Sequence, residues 1–318
     1  MNDMFQLKYL PDCLPIQDIA VCEKARNIKR SEITNHPRKN VKIRVIEDEA
    51  TFNLDFFLDI VSGIKRALDE GRKKYVIILP APIPQYAWVA EMINRLNIPC
   101  HHVFTFNMDE YCDQDGNSPT RDWKGGFQYW MWRDFFDRIK PELRMPENQI
   151  NFPTKASVQD YSRKLEDLGG ADVCYGGIGW CGHIAFVEPH VGAQVNNDLD
   201  AFLKMGTMKV KLHPITVCQN SLYSDGGGAG DWSKLPWNAY TVGPKDVAGA
   251  KLRSSWNGFG CGDSIWERFI TRLAIFGPVT PKTPASILQL FRSDIILSAS
   301  VAADCSSQTC ERKNPIQF

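Results

Sequence analysis

Four glycines, a histidine and a glutamate cluster in one short stretch of this chain: Gly176, Gly177, Gly179, Gly182, His183 and Glu188. The residues just before them, Asp172 to Tyr175, read as a short buried strand. Glycines let a backbone bend sharply and approach a ligand closely. A strand end that runs into such a turn is where open α/β sheets place their ligands. An imidazole there can move protons near neutral pH. The same residues also describe a tight turn with a hydrogen-bonded surface histidine. A second stretch, Val103 to Met108, is apolar and ends in Asp109 and Glu110. It reads as a buried strand with carboxylates at its C-terminal end. An acidic pair by itself also suits a solvated strand end. The two strand ends together point to a reactive site rather than to coincidence.

The motifs Phe-Asn-Met-Asp-Glu-Tyr at 106–111 and Gly-Gly-Ile-Gly-Trp-Cys-Gly-His-Ile-Ala-Phe-Val-Glu-Pro at 176–189 resemble those of the glucosamine-6-phosphate deaminase/isomerase family. Weaker similarity comes from 132–137, 146–151, 238–243 and 285–289, and the match runs from about residue 41 to about residue 305. The related 6-phosphogluconolactonases share the glycine-rich turn and its histidine, but their pattern lacks Asn-Met-Asp-Glu-Tyr.

The resemblance implies an aldose–ketose isomerisation of an amino sugar, with deamination. Such chemistry needs ring opening, a carboxylate close to C1 and C2, and a stabiliser for the enol oxygen. By the resemblance, Asp109 moves the proton between C2 and C1, His183 opens the ring, and Glu188 tunes that histidine. Substrate contacts are expected at Glu110, Gly177, Gly179, Gly182, Pro80 and Ala81. No cofactor and no metal are implied. The expected partner is a small-molecule sugar, and a homo-oligomer is expected.

Two departures from the family pattern stand out. Its turn usually reads Gly-Asn-Asp-Gly-His, and here Cys181 holds the place of that aspartate. A thiol there is either a weak donor with a chemical part or inert packing. The family's phosphate loop reads like Pro-Thr-Gly-Gly-Thr-Pro, whereas residues 79–85 read Leu-Pro-Ala-Pro-Ile-Pro-Gln. Pro80, Pro82 and Pro84 remove three amide donors. The family's phosphate-binding arginine falls near Thr216, and its lysine falls near residues 262–267, which carry Asp263 and Glu267. Lys251 or Arg253 are candidate replacements. The sugar is therefore expected to be recognised without the usual 6-phosphate site. Two alternatives stay open: a catalytically impaired sugar-binding or regulatory protein on the same scaffold, and a lactonase-type hydrolase.

Net charge is zero and the charges are mixed. That speaks against a nucleic-acid or membrane electrostatic footprint. The 10 cysteines include no Cys-x-x-Cys pair and no zinc-ligand spacing. With no basic, apolar leader at the start, they read as reduced thiols of a cytoplasmic protein. No apolar run is long enough to span a bilayer.

Strands are expected at 41–46, 75–79, 103–108 and 294–300. Helices are expected at 48–68, 86–96, 127–139, 158–168 and 264–276. Strand–helix alternation implies an α/β fold: a doubly wound, mostly parallel, Rossmann-like sheet with helices on both faces. Residues 1–40 read as an N-terminal extension, 41–305 as one α/β domain and 306–318 as a tail. Residues 190–235 give no clear pattern, and the glycines at 226–230 read as a linker.

Overall fold

The computed structural model describes residues 18–222, 228–259 and 265–305. Helix α1 (Ile19–Arg26) precedes strand β1 (Val41–Ile46) and helix α2 (Glu49–Asp69). Asp48 caps α2 by accepting from the Thr51 amide at 2.7 Å, which satisfies one of the donors a helix start leaves over. Phe52, Phe56, Ile60, Val61 and Ile64 share its buried face, as three- and four-residue spacing dictates. β2 (Tyr75–Leu79) is buried along its whole length, the mark of a parallel strand covered on both sides. α3 (Tyr86–Arg95) and β3 (Val103–Asn107) follow. These elements stand where the sequence places them, give or take a residue.

After β3 the alternation changes. The chain continues through β4 (Asp109–Cys112), α4 (Phe127–Asp134), β5 (Ile150–Asn151), α5 (Tyr161–Asp167) and β6 (Val173–Gly176). Then come α6 (Leu199–Phe202), β7 (Met208–Lys211), α7 (Pro214–Asn220) and β8 (Asn238–Thr241). The last elements are α8 (Pro244–Ala248), β9 (Leu252–Asn257), α9 (Ile265–Phe276), β10 (Ser293–Ser298) and α10 (Ala299–Ala302). The helix expected to reach 139 stops at Asp134, because Phe135 leaves helical geometry at φ −125° and ψ −72°. The strand expected to reach 300 stops at Ser298, whose side chain caps α10 instead.

The main sheet has seven strands in the order β1-β10-β9-β6-β2-β3-β5, and every pair in it is parallel. The α/β, mostly parallel class is thus the observed one. A second sheet, β4-β8-β7, is antiparallel. From β2 the chain winds outward to β3 and β5, then returns to the other side of β2 as β6. This is a topological switch point, and ligands of open α/β sheets bind in the crevice beyond the strand ends there. The loop after β2, Asp109 after β3 and the glycine turn after β6 all lie at that edge.

At the far end of the chain, the buried Arg272 of α9 donates to the carbonyls of Ile28, Arg268, Val301 and Ala302. α1 packs on the same helix, with Ala25 against Ile270 and Leu273. Among the described residues no helix is long and apolar enough to cross a membrane. Residues 1–17, Gly226, Gly227, Asp263 and the 306–318 segment lie outside the described residues.

Candidate active site

The glycine turn leaves β6 and is pinned at once, for the Ile178 amide donates to Oδ1 of Asn257 at the end of β9, at 2.8 Å. Gly177 lies against the backbone carbonyl of Trp256. Gly179 faces the imidazole so closely that a Cβ there would sit 1.8 Å from His183 Nε2. No other residue leaves room for that ring. Gly182 has φ +77°, a conformation glycine enters without steric cost, and its carbonyl accepts from the Ala285 amide at 2.9 Å.

Beyond the turn, Ile184 and Val187 form an antiparallel bridge. This reversal brings His183 and Glu188, five positions apart, side by side. They do not form a direct hydrogen bond: His183 Nδ1 is 4.0 Å from Glu188 Oε1. Thr216 stands in the hydrogen-bonding place instead, its hydroxyl 2.9 Å from Nδ1. Cys181 Sγ is 3.3 Å from the same nitrogen and 3.5 Å from the Thr216 hydroxyl. Thr216 is held at the start of α7, where the imidazole of His213 caps the Ile215 amide at 3.1 Å. Glu188 Oε2 in turn accepts from the His213 amide.

Burial sets the protonation of this group, since a charged form loses hydration there. It pushes Glu188 up to about 8, with the Thr216 hydroxyl and the His213 amide opposing. Burial, then the charge of His213, lowers His183 to about 3. Burial pushes the Cys181 thiol up to about 12. At neutral pH the imidazole is therefore neutral and the sulfur is a thiol.

Asp109 reaches the same place from the other sheet. Met108 bridges the two, its amide donating to the Leu79 carbonyl and its carbonyl accepting from the Val242 amide, both at 2.8 Å. Asp109 Oδ1 accepts from the Phe186 amide at 3.1 Å. Thr241, its cross-strand partner, offers a hydroxyl. Burial raises Asp109 to about 7, the Thr241 hydroxyl and the Phe186 amide oppose, and the Glu110 charge adds to the rise. Phe186 thus ties the acid to the turn that carries His183.

Glu110 points into a different task. It is fully buried, and its carboxylate accepts from the amides of Tyr111, Phe127 and Gln128 at 2.8, 3.0 and 2.7 Å. It closes the start of α4, which suits a negative group at a helix N-terminus. Pro80 and Ala81 are half-buried in the loop after β2. The first amides of α3 behind them are already used: those of Tyr86, Ala87 and Trp88 donate to the carbonyls of Ile83, Pro84 and Gln85.

The candidate replacement cations are engaged elsewhere. Arg253 is buried near the start of β9, donating to the carbonyls of Arg292, Val247, Ala248 and Lys251. Lys251 pairs with Asp172 at 2.8 Å. Both lie at the end of the parallel sheet opposite the glycine turn. Glu267, in the first turn of α9, is buried and raised by that burial to about 8. Its neighbour Trp266 stacks on Trp180 of the glycine turn, with centroids 5.2 Å apart, and donates to the Trp180 carbonyl at 2.8 Å.

Thr216 and Thr241 were missed as contact residues by sequence reasoning. Thr216 drew notice only as the place of an absent arginine. Thr241 lies within the weakly similar 238–243 segment, the one signal that marked it.

No family model matches the chain. Curated glucosamine-6-phosphate deaminases do match it. That of Lachnoclostridium phytofermentans is 32% identical over 216 residues, which cover 66% of this chain and 79% of the relative. That of Borrelia hermsii is 31% identical over 251 residues, 76% of this chain and 84% of the relative. Among solved structures, a monomeric glucosamine-6-phosphate deaminase aligns with a TM-score of 0.66 at 20% identity, over 82% of this chain and 98% of the other. A 6-phosphogluconolactonase from Trypanosoma cruzi aligns with a TM-score of 0.58 at 14% identity, over 84% and 98%. Those two show the likeness of fold. The sequence relatives carry the further step: this chain belongs to the glucosamine-6-phosphate deaminase family.

Proposed function

We propose that the protein is an aldose–ketose isomerase that deaminates an amino sugar. The observation that supports this most directly is the Phe186 amide on Asp109 Oδ1 at 3.1 Å. It holds a carbon-acid base and the His183 turn on one frame. A neutral His183 accepts the anomeric hydroxyl proton and returns one to the ring oxygen, so the sugar opens. Thr216 fixes the other face of the imidazole. Asp109, its carboxyl raised by burial to about 7, removes the C2 proton in its ionised form and delivers it to C1. The C2 amine becomes an imine, water adds, and ammonia leaves with a 2-ketose remaining.

The finer reading concerns the substrate. A proline-rich loop with few free amides, Thr216 turned toward His183, and Arg253 and Lys251 committed elsewhere all support a sugar recognised without the family's 6-phosphate cradle. Amino sugars incubated with the purified protein should yield ammonia and ketose in equal amounts. In deuterated water the ketose should carry deuterium at C1 to the extent that the proton held on Asp109 exchanges with solvent before its delivery. Ammonia release without a ketose, or lactone hydrolysis in place of both, would overturn the assignment.

A further inference from the structure

Cys181, His183 and Glu188 offer donor atoms that all lie within 4.8 Å of one another, and all three residues are buried. We propose that they form a binding site for a borderline-soft divalent cation, zinc foremost. The spacing is slightly wider than that of ligands around one small ion, so a bound ion would draw the donors inward. Zinc bonds of about 2.0–2.3 Å in tetrahedral array set ligand-to-ligand edges of roughly 3.3–3.6 Å. Here Nδ1 is 3.3 Å from Sγ and 4.0 Å from Oε1. The Thr216 hydroxyl, 2.9 Å from Nδ1 and 3.5 Å from Sγ, stands at a fourth corner.

A second observation points the same way. Glu188 is fully buried, yet its Oε1 makes no hydrogen bond within 3.5 Å: the Thr216 hydroxyl is close enough to favour the ionised carboxyl but sits 2.9 Å from His183 Nδ1. That oxygen is the one turned toward His183 and Cys181. A buried polar atom without a partner is costly and calls for an explanation. Inert packing of Cys181 explains the sulfur but leaves this oxygen orphaned. The donor set also selects the ion: sulfur and imidazole favour zinc over magnesium or calcium, which prefer oxygen. Binding releases the thiol proton and the carboxyl proton. The thiolate and the carboxylate then balance the two positive charges, and the imidazole binds neutral.

The consequence for turnover rests on the function proposed above. A cation on Nδ1 leaves Nε2 as the N–H nitrogen. That nitrogen can no longer accept the anomeric proton, so an occupied site blocks ring opening. Cys181, in the place where the family pattern has aspartate, would make this chain zinc-sensitive.

The test uses the full chain, treated with chelator and titrated with cobalt(II). Expected are four-coordinate visible bands and a sulfur-to-cobalt charge-transfer band, saturating at one equivalent and displaced by zinc. Cys181→Ser should abolish the charge-transfer band, and Glu188→Gln should weaken binding at least about a hundredfold. Circular dichroism confirms that each variant is folded. Saturation without a charge-transfer band, or the same band in Cys181→Ser, would overturn the site. Zinc should also inhibit ammonia release with the affinity measured by cobalt displacement. Unchanged turnover with zinc bound would leave the site standing and remove His183 from ring opening. The two ideas therefore fail separately.

Discussion

The Phe186 amide and Asp109 Oδ1 are joined at 3.1 Å, and the Phe186 ring stands edge-on to His183 with centroids 6.2 Å apart. One residue therefore touches both the acid and the imidazole. Its position is set by the Ile184–Val187 bridge and by stacking on Tyr111 at 5.9 Å. A packed aromatic cannot shift far, because interiors are dense. The separation of Asp109 and His183 is thereby fixed by packing rather than by the two side chains themselves.

Asp109→Asn should abolish the chemistry and spare the fold. An amide oxygen can still accept from the Phe186 amide, so the local frame persists. A positioned base contributes about a hundredfold to ten-thousandfold. Deuterium incorporation from solvent into the sugar should fall by that much, with ligand affinity changed little. Undiminished exchange would remove Asp109 from the role of base.

Thr216→Val should slow turnover at least about tenfold, since it strips Nδ1 of its hydroxyl partner at 2.9 Å. Thr216→Ser should retain most activity. In a His183→Ala background the Thr216→Val change should cost almost nothing, because residues acting through one another are not additive. The pH profile gives a further check. His183 is lowered to about 3, so kcat/KM should show no imidazole limb near 6.5. It should instead rise through about 7 as Asp109 ionises.

Most of the parallel sheet was legible, because β2 and β3 are apolar runs and helices such as 49–69 carry strong periodicity, but the two-residue β5 and the largely polar β9, Leu-Arg-Ser-Ser-Trp-Asn, gave no such signal. The small antiparallel sheet was not legible. β7 and β8 span four residues each, too few for a pattern to declare itself, and β8 joins β7 to β4 across more than a hundred residues of chain. The site shows the same division. Glycines, His183 and Asp109 announce themselves by type and spacing. Thr216 does not, because a threonine gains meaning only when tertiary packing sets it beside an imidazole. Glu110, expected as a substrate contact, instead accepts from three backbone amides at the start of α4, because successive strand residues face opposite sides and it points away from Asp109.

Stability should fall as pH rises from about 6.5 to about 8. Glu267 is raised from 4.5 to about 8, so the fold holds a proton that the unfolded chain has released. Such a group supports the fold fully below its unfolded value and loses that support as pH climbs through the folded one. Asp109 and Glu188 act in the same sense. His183 acts oppositely, but only below its ordinary 6.5. Each raised carboxyl adds a slope of up to about 1.4 kcal/mol per pH unit. Glu267→Gln should make the decline in melting temperature visibly shallower. An equal slope in the variant would show that Glu267 titrates normally.

Matched sugars with and without the 6-phosphate should be turned over with similar kcat/KM, or with the unphosphorylated one preferred. A buried phosphate dianion needs amides or cations, each charge-assisted contact contributing about 1.5–3 kcal/mol. Pro80, Pro82 and Pro84 supply no amide. The first amides of α3 are turned back onto Ile83, Pro84 and Gln85, so the helix start has little left to offer an anion. Arg253 is spent on four carbonyls. Glu267, protonated below about 8, would repel a dianion once ionised and otherwise offers a hydroxyl or amine an acceptor. Installing arginine by Thr216→Arg would not restore phosphate binding cleanly, because the same residue partners His183. Gly-for-Pro replacement at positions 82 and 84 is the sharper probe. It should raise kcat/KM for the phosphorylated sugar and leave the other unchanged. A strong preference of the unmodified protein for the phosphorylated sugar would show that phosphate binds through groups other than these.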